Sequence, residues 1–261
     1  MTKPAIYLEK SDGIGWLVLN QPDRRNAISR AMWLAIPALL DDAEHDAAVK
    51  VLVVRGVDHR AFAAGADISE FGTVHASPAT SKEYNGIVHV ASRRLARCPK
   101  PLLAMVQGPC VGGGCGIALS ADLRLADPTA RFGIPPAKLG LVYSLQDTKL
   151  LVDVVGPAKT KDMLFTGRLV GAEEAHRIGL VDRLIAADAI EAETRALCAA
   201  IIESSQFSVR AAKRIVRLIL DGQAEDSSET LALFDQAFQG EDHREGTRAF
   251  LEKRKARFTY S

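Results

Sequence analysis

Charge of one sign is what this chain lacks most plainly: 33 Lys and Arg offset 32 Asp and Glu, leaving a formal net charge of +1. Without a strong global field, neither nucleic acid nor an anionic membrane is expected as a partner, and any anion site must be local. Cysteine is scarce too. The four thiols, Cys98, Cys110, Cys115 and Cys198, form no C-x-x-C pair and have no His or Cys at zinc-ligand spacing. Buried reduced thiols and no metal are predicted. No apolar run approaches the roughly 18 residues of a membrane span. The segment Met1 to Glu9 lacks the basic-then-apolar pattern of a signal peptide. A cytoplasmic protein is expected.

What is present is apolar mass: 261 residues with 48% hydrophobic content suffice for a large core without disulfide staples. The first third alternates extended and helical signals. Ile14 to Asn20 and Val49 to Arg55 read as strands, separated by an Ala-rich segment from Ala31 to Ala43. Ser29 is its candidate N-cap, and Pro37 predicts a kink or an early break. A second helix is marked by Thr80 and Glu83 as a capping box and by Tyr84, Ile87, Val88, Ala91 and Leu95 on one face. The nearly all-apolar runs Val49 to Arg55 and Leu102 to Gln107 flank that helix, as parallel neighbours in a βαβ unit would. Leu123 to Ala126 and Val181 to Ile185 look like further short strands. From about Ala187 strand signals vanish and helices are predicted over Ala189 to Ser204, Val209 to Leu220 and Glu229 to Phe238, with a charged extension through Arg257.

Two small-residue segments carry the chemical signal. AFAAGADISEF, residues 61–71, follows one buried strand. QGPCVGGGCG, residues 107–116, follows the next and leads into an apolar helix, Ile117 to Ala121. A Gly run at a helix N-terminus exposes N–H groups where the dipole favours negative charge. Two adjacent strand ends can thus aim two peptide N–H groups at one oxygen that gains charge. Taken singly, each segment is an ordinary turn; as a pair they are specific. The Gly run lacks the G-x-G-x-x-G of a dinucleotide site, and no G-x-S-x-G elbow is present.

These two segments, with LNQPDRRNAIS at residues 19–29, resemble the core signatures of the crotonase (enoyl-CoA hydratase/isomerase) superfamily. The resemblance implies an α/β fold, the ClpP/crotonase-like fold of repeated ββα units with a C-terminal helical trimerisation region. It divides the chain into a core with an acyl-CoA site, residues 1–187, and an oligomerisation region, residues 188–261. It makes the N–H groups of Ala66 and Gly113 the oxyanion donors and places Arg24, Arg25, Ala27, Ala64 and Ile68 on coenzyme A. FLEKRKARF resembles the family's C-terminal helix, which puts Phe250 on the adenine and Lys253 on a phosphate of a ligand held by the adjacent subunit. A homotrimer or dimer of trimers is implied, with a coenzyme A thioester as substrate and no permanently bound cofactor.

Two positions depart from the family pattern. Where the superfamily usually carries a glutamate after the Cys of GGGC, this chain has Gly116; where the second follows the first proline of FGIPPAKLG, it has Pro136. KLGLVYSLQDTKLL resembles the methylmalonyl-CoA decarboxylase branch, with Tyr143 at that branch's tyrosine, although the branch has histidine at Ala66 and keeps a glutamate at Gly116. Tyr143 reads equally as a catalytic phenol and as a half-buried core aromatic. Asp147 reads as a helix N-terminal residue rather than an acid, and His89 as a surface or packing histidine. The expected function is an acyl-CoA enzyme working through an oxyanion-stabilised enolate. The alternatives are a decarboxylase of a methylmalonyl-type thioester, a non-catalytic acyl-CoA-binding oligomer and a purely structural oligomer.

Overall fold

The structure is a computed structural model that describes residues 3–260. Met1, Thr2 and Ser261, which the N-terminal reading and the expected domain ranges include, lie outside the described residues. The chain opens with β1 (Ile6–Ser11) and β2 (Ile14–Leu19), then α1 (Arg30–His45), β3 (Val51–Gly56), α2 (Phe71–Val74), α3 (Pro78–Ala96) and β4 (Leu102–Val106). It continues through β5 (Pro109–Val111), α4 (Gly113–Leu119), β6 (Leu123–Ala126), β7 (Arg131–Gly133), α5 (Leu145–Thr166) and β8 (Val170–Gly171). The remainder is α6 (Ala172–Arg177), β9 (Arg183–Leu184), α7 (Ile190–Ile202), α8 (Gln206–Leu220), α9 (Ser228–Gln239) and α10 (Glu241–Leu251).

The main sheet has the order β1-β2-β3-β4-β6-β9, antiparallel only between β1 and β2. A small second sheet, β5-β7-β8, stands apart from it. Alternation along β2 shows why the central strands are apolar throughout: Leu17 and Leu19 enter one core, Trp16 and Val18 the other. The first core is covered by α1, which buries Met32, Trp33, Ile36, Leu40 and Ala43. The second is covered by α7 through Ile190 and Cys198. The start of the expected C-terminal region is therefore packed on the sheet itself.

Several local expectations are corrected. Helix α1 runs unbroken across Pro37, held at its start by Ser29 Oγ, which accepts from Met32 N–H. The capping box of α3 is Ser77 with Thr80, not Thr80 with Glu83, because Pro78 takes the first helical position. Glu83 instead pairs with Arg30. The Gly run does not precede α4; it is its first turn. The charged tail leaves the helix at Leu251, since Lys253 takes a left-handed conformation (φ 54°). Beyond that turn the chain is pinned by Glu245, which binds Arg254 and the Arg257 N–H. All four cysteines are buried and free, and burial raises the Cys98 and Cys198 thiols to about 11. Among the described residues no helix is long and apolar enough to cross a membrane.

Candidate active site

Parallel strands β3 and β4 deliver their following loops side by side, and a short bridge fastens those loops together. Ala63 N–H donates to Pro109 C=O at 3.0 Å, and Val111 N–H donates to Ala63 C=O at 2.9 Å, pairing Ala63 with Cys110. Ala66 and Gly113 each stand three residues past that pair. Equal offsets from one fixed point bring them to the same end of the bridge. The glycines before them face each other: a Cβ built on Gly112 would lie 3.7 Å from Gly65 Cα. Gly65 has φ +116° and Gly112 φ +53°, conformations that side chains resist, so both positions need glycine.

The Ala66 and Gly113 N–H groups have no backbone acceptor among the described residues. Ile28 N–H bonds Gly65 C=O at 2.7 Å and Asp67 N–H bonds Ile28 C=O at 3.0 Å, so Ala66, bridged between them, turns its own N–H away from Ile28. Gly113 opens α4, where an N–H has no intrahelical acceptor. Trp33 of α1 fixes the second loop from beneath, since a Cβ on Gly113 would come within 2.9 Å of its Cζ2. Sequence reasoning does not find Trp33, because a buried tryptophan on an amphipathic helix reads only as core.

Close packing between the loops sets a measurable limit. A Cβ on Gly114 would meet Ala63 O at 2.5 Å and Ala63 Cβ at 2.6 Å. Gly114→Ala is expected to lower stability by about 1–3 kcal/mol through overpacking, read as a shifted midpoint in urea unfolding. Unchanged stability would show that the two loops are not held this tightly.

Five expected coenzyme A residues gather along this edge. Arg25 C=O accepts from Ala64 N–H at 2.9 Å, joining the segment of Arg24, Arg25 and Ala27 to that of Ala64 and Ile68. Ile68 is 73% exposed. Arg24 Nη1 donates to Asp67 Oδ2 at 2.5 Å and to Ser69 Oγ at 3.0 Å. Ser69 and Arg24 together hold the Asp67 carboxyl below its usual range. Phe250 and Lys253 lie elsewhere, on the end of α10 and the turn after it, both exposed.

Tyr143 reaches Gly116, one of the two positions expected to depart from the family pattern. A Cβ on Gly116 would sit 3.1 Å from Tyr143 Oη. Burial, and secondarily the Asp147 charge, push its phenol well above the ordinary value, so the hydroxyl keeps its proton at neutral pH. Pro136 opens a short 3-10 turn, Pro136–Leu139, and carries no acid. Among the described residues no group of three His, Cys, Asp or Glu side chains forms a metal site.

This geometry meets its relatives over nearly the whole chain. The enoyl-CoA hydratase/isomerase family pattern matches residues 9–261. The chain belongs to the enoyl-CoA hydratase/isomerase family. The crotonyl-CoA hydratase of Syntrophomonas wolfei is 32% identical over 97% of both chains. The solved structure of an enoyl-CoA hydratase/isomerase family protein from Hyphomonas neptunium superposes with a TM-score of 0.96, at 44% identity over 99% of this chain and 98% of its own. An enoyl-CoA hydratase/carnithine racemase from Magnetospirillum magneticum gives 0.95 at 33% identity, covering 100% and 97%. The chain is thus a lyase or isomerase enzyme of the enoyl-CoA hydratase/isomerase family with the crotonase fold.

Proposed function

We propose that this enzyme binds an acyl-CoA with its thioester oxygen between the N–H groups of Ala66 and Gly113 and stabilises the enolate formed at the α-carbon. The observation that carries the reading is the pair of unpartnered main-chain donors, clamped by the bridge between Ala63 and Cys110. Such donors are fixed before charge develops, so little reorganisation is needed at the moment of reaction. Gly116 and Pro136 remove the two carboxylates that hydration would use. The expected rate with crotonyl-CoA is therefore low.

A second reading, decarboxylation of a methylmalonyl-type thioester, is favoured by the Tyr143 hydroxyl against Gly116. Loss of CO2 breaks the carbon–carbon bond and leaves its electron pair in the enolate, so no base is required; Tyr143 then returns a proton to the α-carbon. Crotonyl-, methylmalonyl- and a β-hydroxyacyl-CoA incubated with the enzyme and followed by mass spectrometry separate the cases. Loss of CO2 supports the decarboxylase, and rapid gain of water refutes the account of the missing carboxylates. Binding without change in any thioester identifies a non-catalytic acyl-CoA binder.

Coenzyme A is held by Arg24, Arg25, Ala27, Ala64 and Ile68 on one chain, and by Phe250 and Lys253 of a neighbour, within a trimer or dimer of trimers built on residues 188–261. The support is exposure: Phe250 is 83% and Phe238 66% exposed in the single chain, an unusual burden of aromatic surface. Phe250→Ala should weaken CoA binding by about 5- to 150-fold, the range of about 1–3 kcal/mol seen for base–aromatic stacking. Calorimetry checks it, and unchanged affinity in the assembled protein would reject the cross-subunit contact.

A further inference from the structure

The first turn of α5 carries a carboxyl that the fold only half uses. The Ser144 hydroxyl accepts from Asp147 N–H at 3.0 Å and donates to Asp147 Oδ2 at 2.7 Å, an ordinary helix cap. Asp147 Oδ1 is shut off from solvent and has no hydrogen-bond partner among the described residues. A carboxylate oxygen left in that state is costly, so a partner from outside the protein is the economical explanation. The two carboxylates that follow Ala66 in its own loop are already engaged. Asp67 is bound by Arg24 and Ser69, and Glu70 accepts from Arg30 N–H at 2.6 Å.

We infer that Asp147 is the carboxyl that moves the substrate's α-proton, replacing the acids that Gly116 and Pro136 lack. The inference rests on the enolate reading of the site. Its placement fits: α5 packs on α4, whose Gly116 meets Tyr143, the residue just before the Ser144 cap. In the forward step Asp147 Oδ1 takes the proton, the C–H electron pair forms the enolate double bond, and negative charge passes to the thioester oxygen between Ala66 and Gly113. The reverse step returns the proton to carbon. One carboxyl can therefore exchange an α-proton, or carry it to the γ-carbon and shift a double bond. It cannot serve hydration in both roles.

The surroundings favour the protonated carboxyl more than water does. Burial raises Asp147 above the ordinary aspartate value, against the lowering effects of the Ser144 hydrogen bond and of His89 on α3. Tyr143 is the titratable group on the segment leading into α5, and Cys115 of α4 lies near that phenol. Lys149, on α5 itself, is occupied by Asp153 at 2.7 Å.

The test tracks loss of the α-proton signal of butyryl-CoA in D2O by NMR, with the full-length chain. Asp147→Asn keeps the shape and an acceptor for the Ser144 hydroxyl. It should slow exchange about 10²–10⁴-fold while butyryl-CoA affinity stays unchanged. Asp147→Glu should retain part of the rate. In the parent, exchange should rise with pH through a single ionisation above the usual aspartate value of about 3.9, and that limb should vanish in Asp147→Asn. Parent-like exchange in Asp147→Asn overturns the assignment and leaves the oxyanion hole standing. Binding by the parent without exchange at any pH also overturns it. Failure of the parent to bind butyryl-CoA overturns the pocket reading as well.

Discussion

Ala66→Pro should slow any enolate-forming reaction of this enzyme by about 10²–10³-fold, the usual cost of losing one oxyanion donor. Proline removes the N–H, which has no backbone acceptor among the described residues. The residue before it is Gly65, which has no Cβ to crowd the proline ring. Stability should therefore change little and the loss should fall on kcat. Exchange of the butyryl-CoA α-protons gives the rate, and urea unfolding checks the fold. A folded Ala66→Pro enzyme with near-normal exchange would remove Ala66 from the site. Gly113→Ala makes a poor comparison, since its new Cβ would collide with Trp33.

Restoring the family's two acids should fail unless Tyr143 is shortened at the same time. A Cβ on Gly116 already lies 3.1 Å from Tyr143 Oη, so a glutamate stem there competes with the phenol for one space. Gly116→Glu with Pro136→Glu is expected to hydrate crotonyl-CoA no faster than the parent. Adding Tyr143→Ala should raise hydration about 10²–10⁴-fold, the contribution of a positioned acid or base. Pro136 tolerates the exchange in principle, because the first position of a helical turn suits an acidic side chain as well as proline. Disappearance of the conjugated thioester absorbance measures the rate. A triple variant that binds crotonyl-CoA yet hydrates it at the parent's rate would refute the explanation.

The sheet is legible from residues 14–20, 49–55 and 102–107 because strands buried on both faces must be apolar at every position. Strand β1 escapes that pattern: Ile6–Ser11 is an edge strand, mostly half-buried and exposed at Lys10 and Ser11. Its hairpin signal is nonetheless present, since Asp12 and Gly13 both have positive φ, as a two-residue turn demands. Helix α5 is hidden because Gly156 and Pro157 interrupt it, Gly156 at φ 76° and ψ 167°, and its apolar residues do not form one stripe. The Gly65 and Gly112 turns are readable from composition, since few other residues adopt those conformations. The meeting of Tyr143 with Gly116 is not, because a residue of the loop before α5 and one of helix α4 converge only through tertiary packing. Asp147 shows both sides: the Ser144 cap is written in the local sequence, whereas the buried Oδ1 depends on what α5 packs against.

The main-chain origin of the two donors has a consequence for how such an enzyme can diverge. Every residue type except proline brings the same N–H, so, in the proposed site, side-chain exchanges away from the tightly packed glycines Gly65, Gly112, Gly113 and Gly114 leave the anion-binding point where it is. Under the proposed function, the positions open to proton-handling side chains, 116, 136, 143 and 147, lie on different stretches and can lose or gain such a group one at a time. On that reading a lineage could trade one reaction for another without passing through a form that no longer holds the thioester.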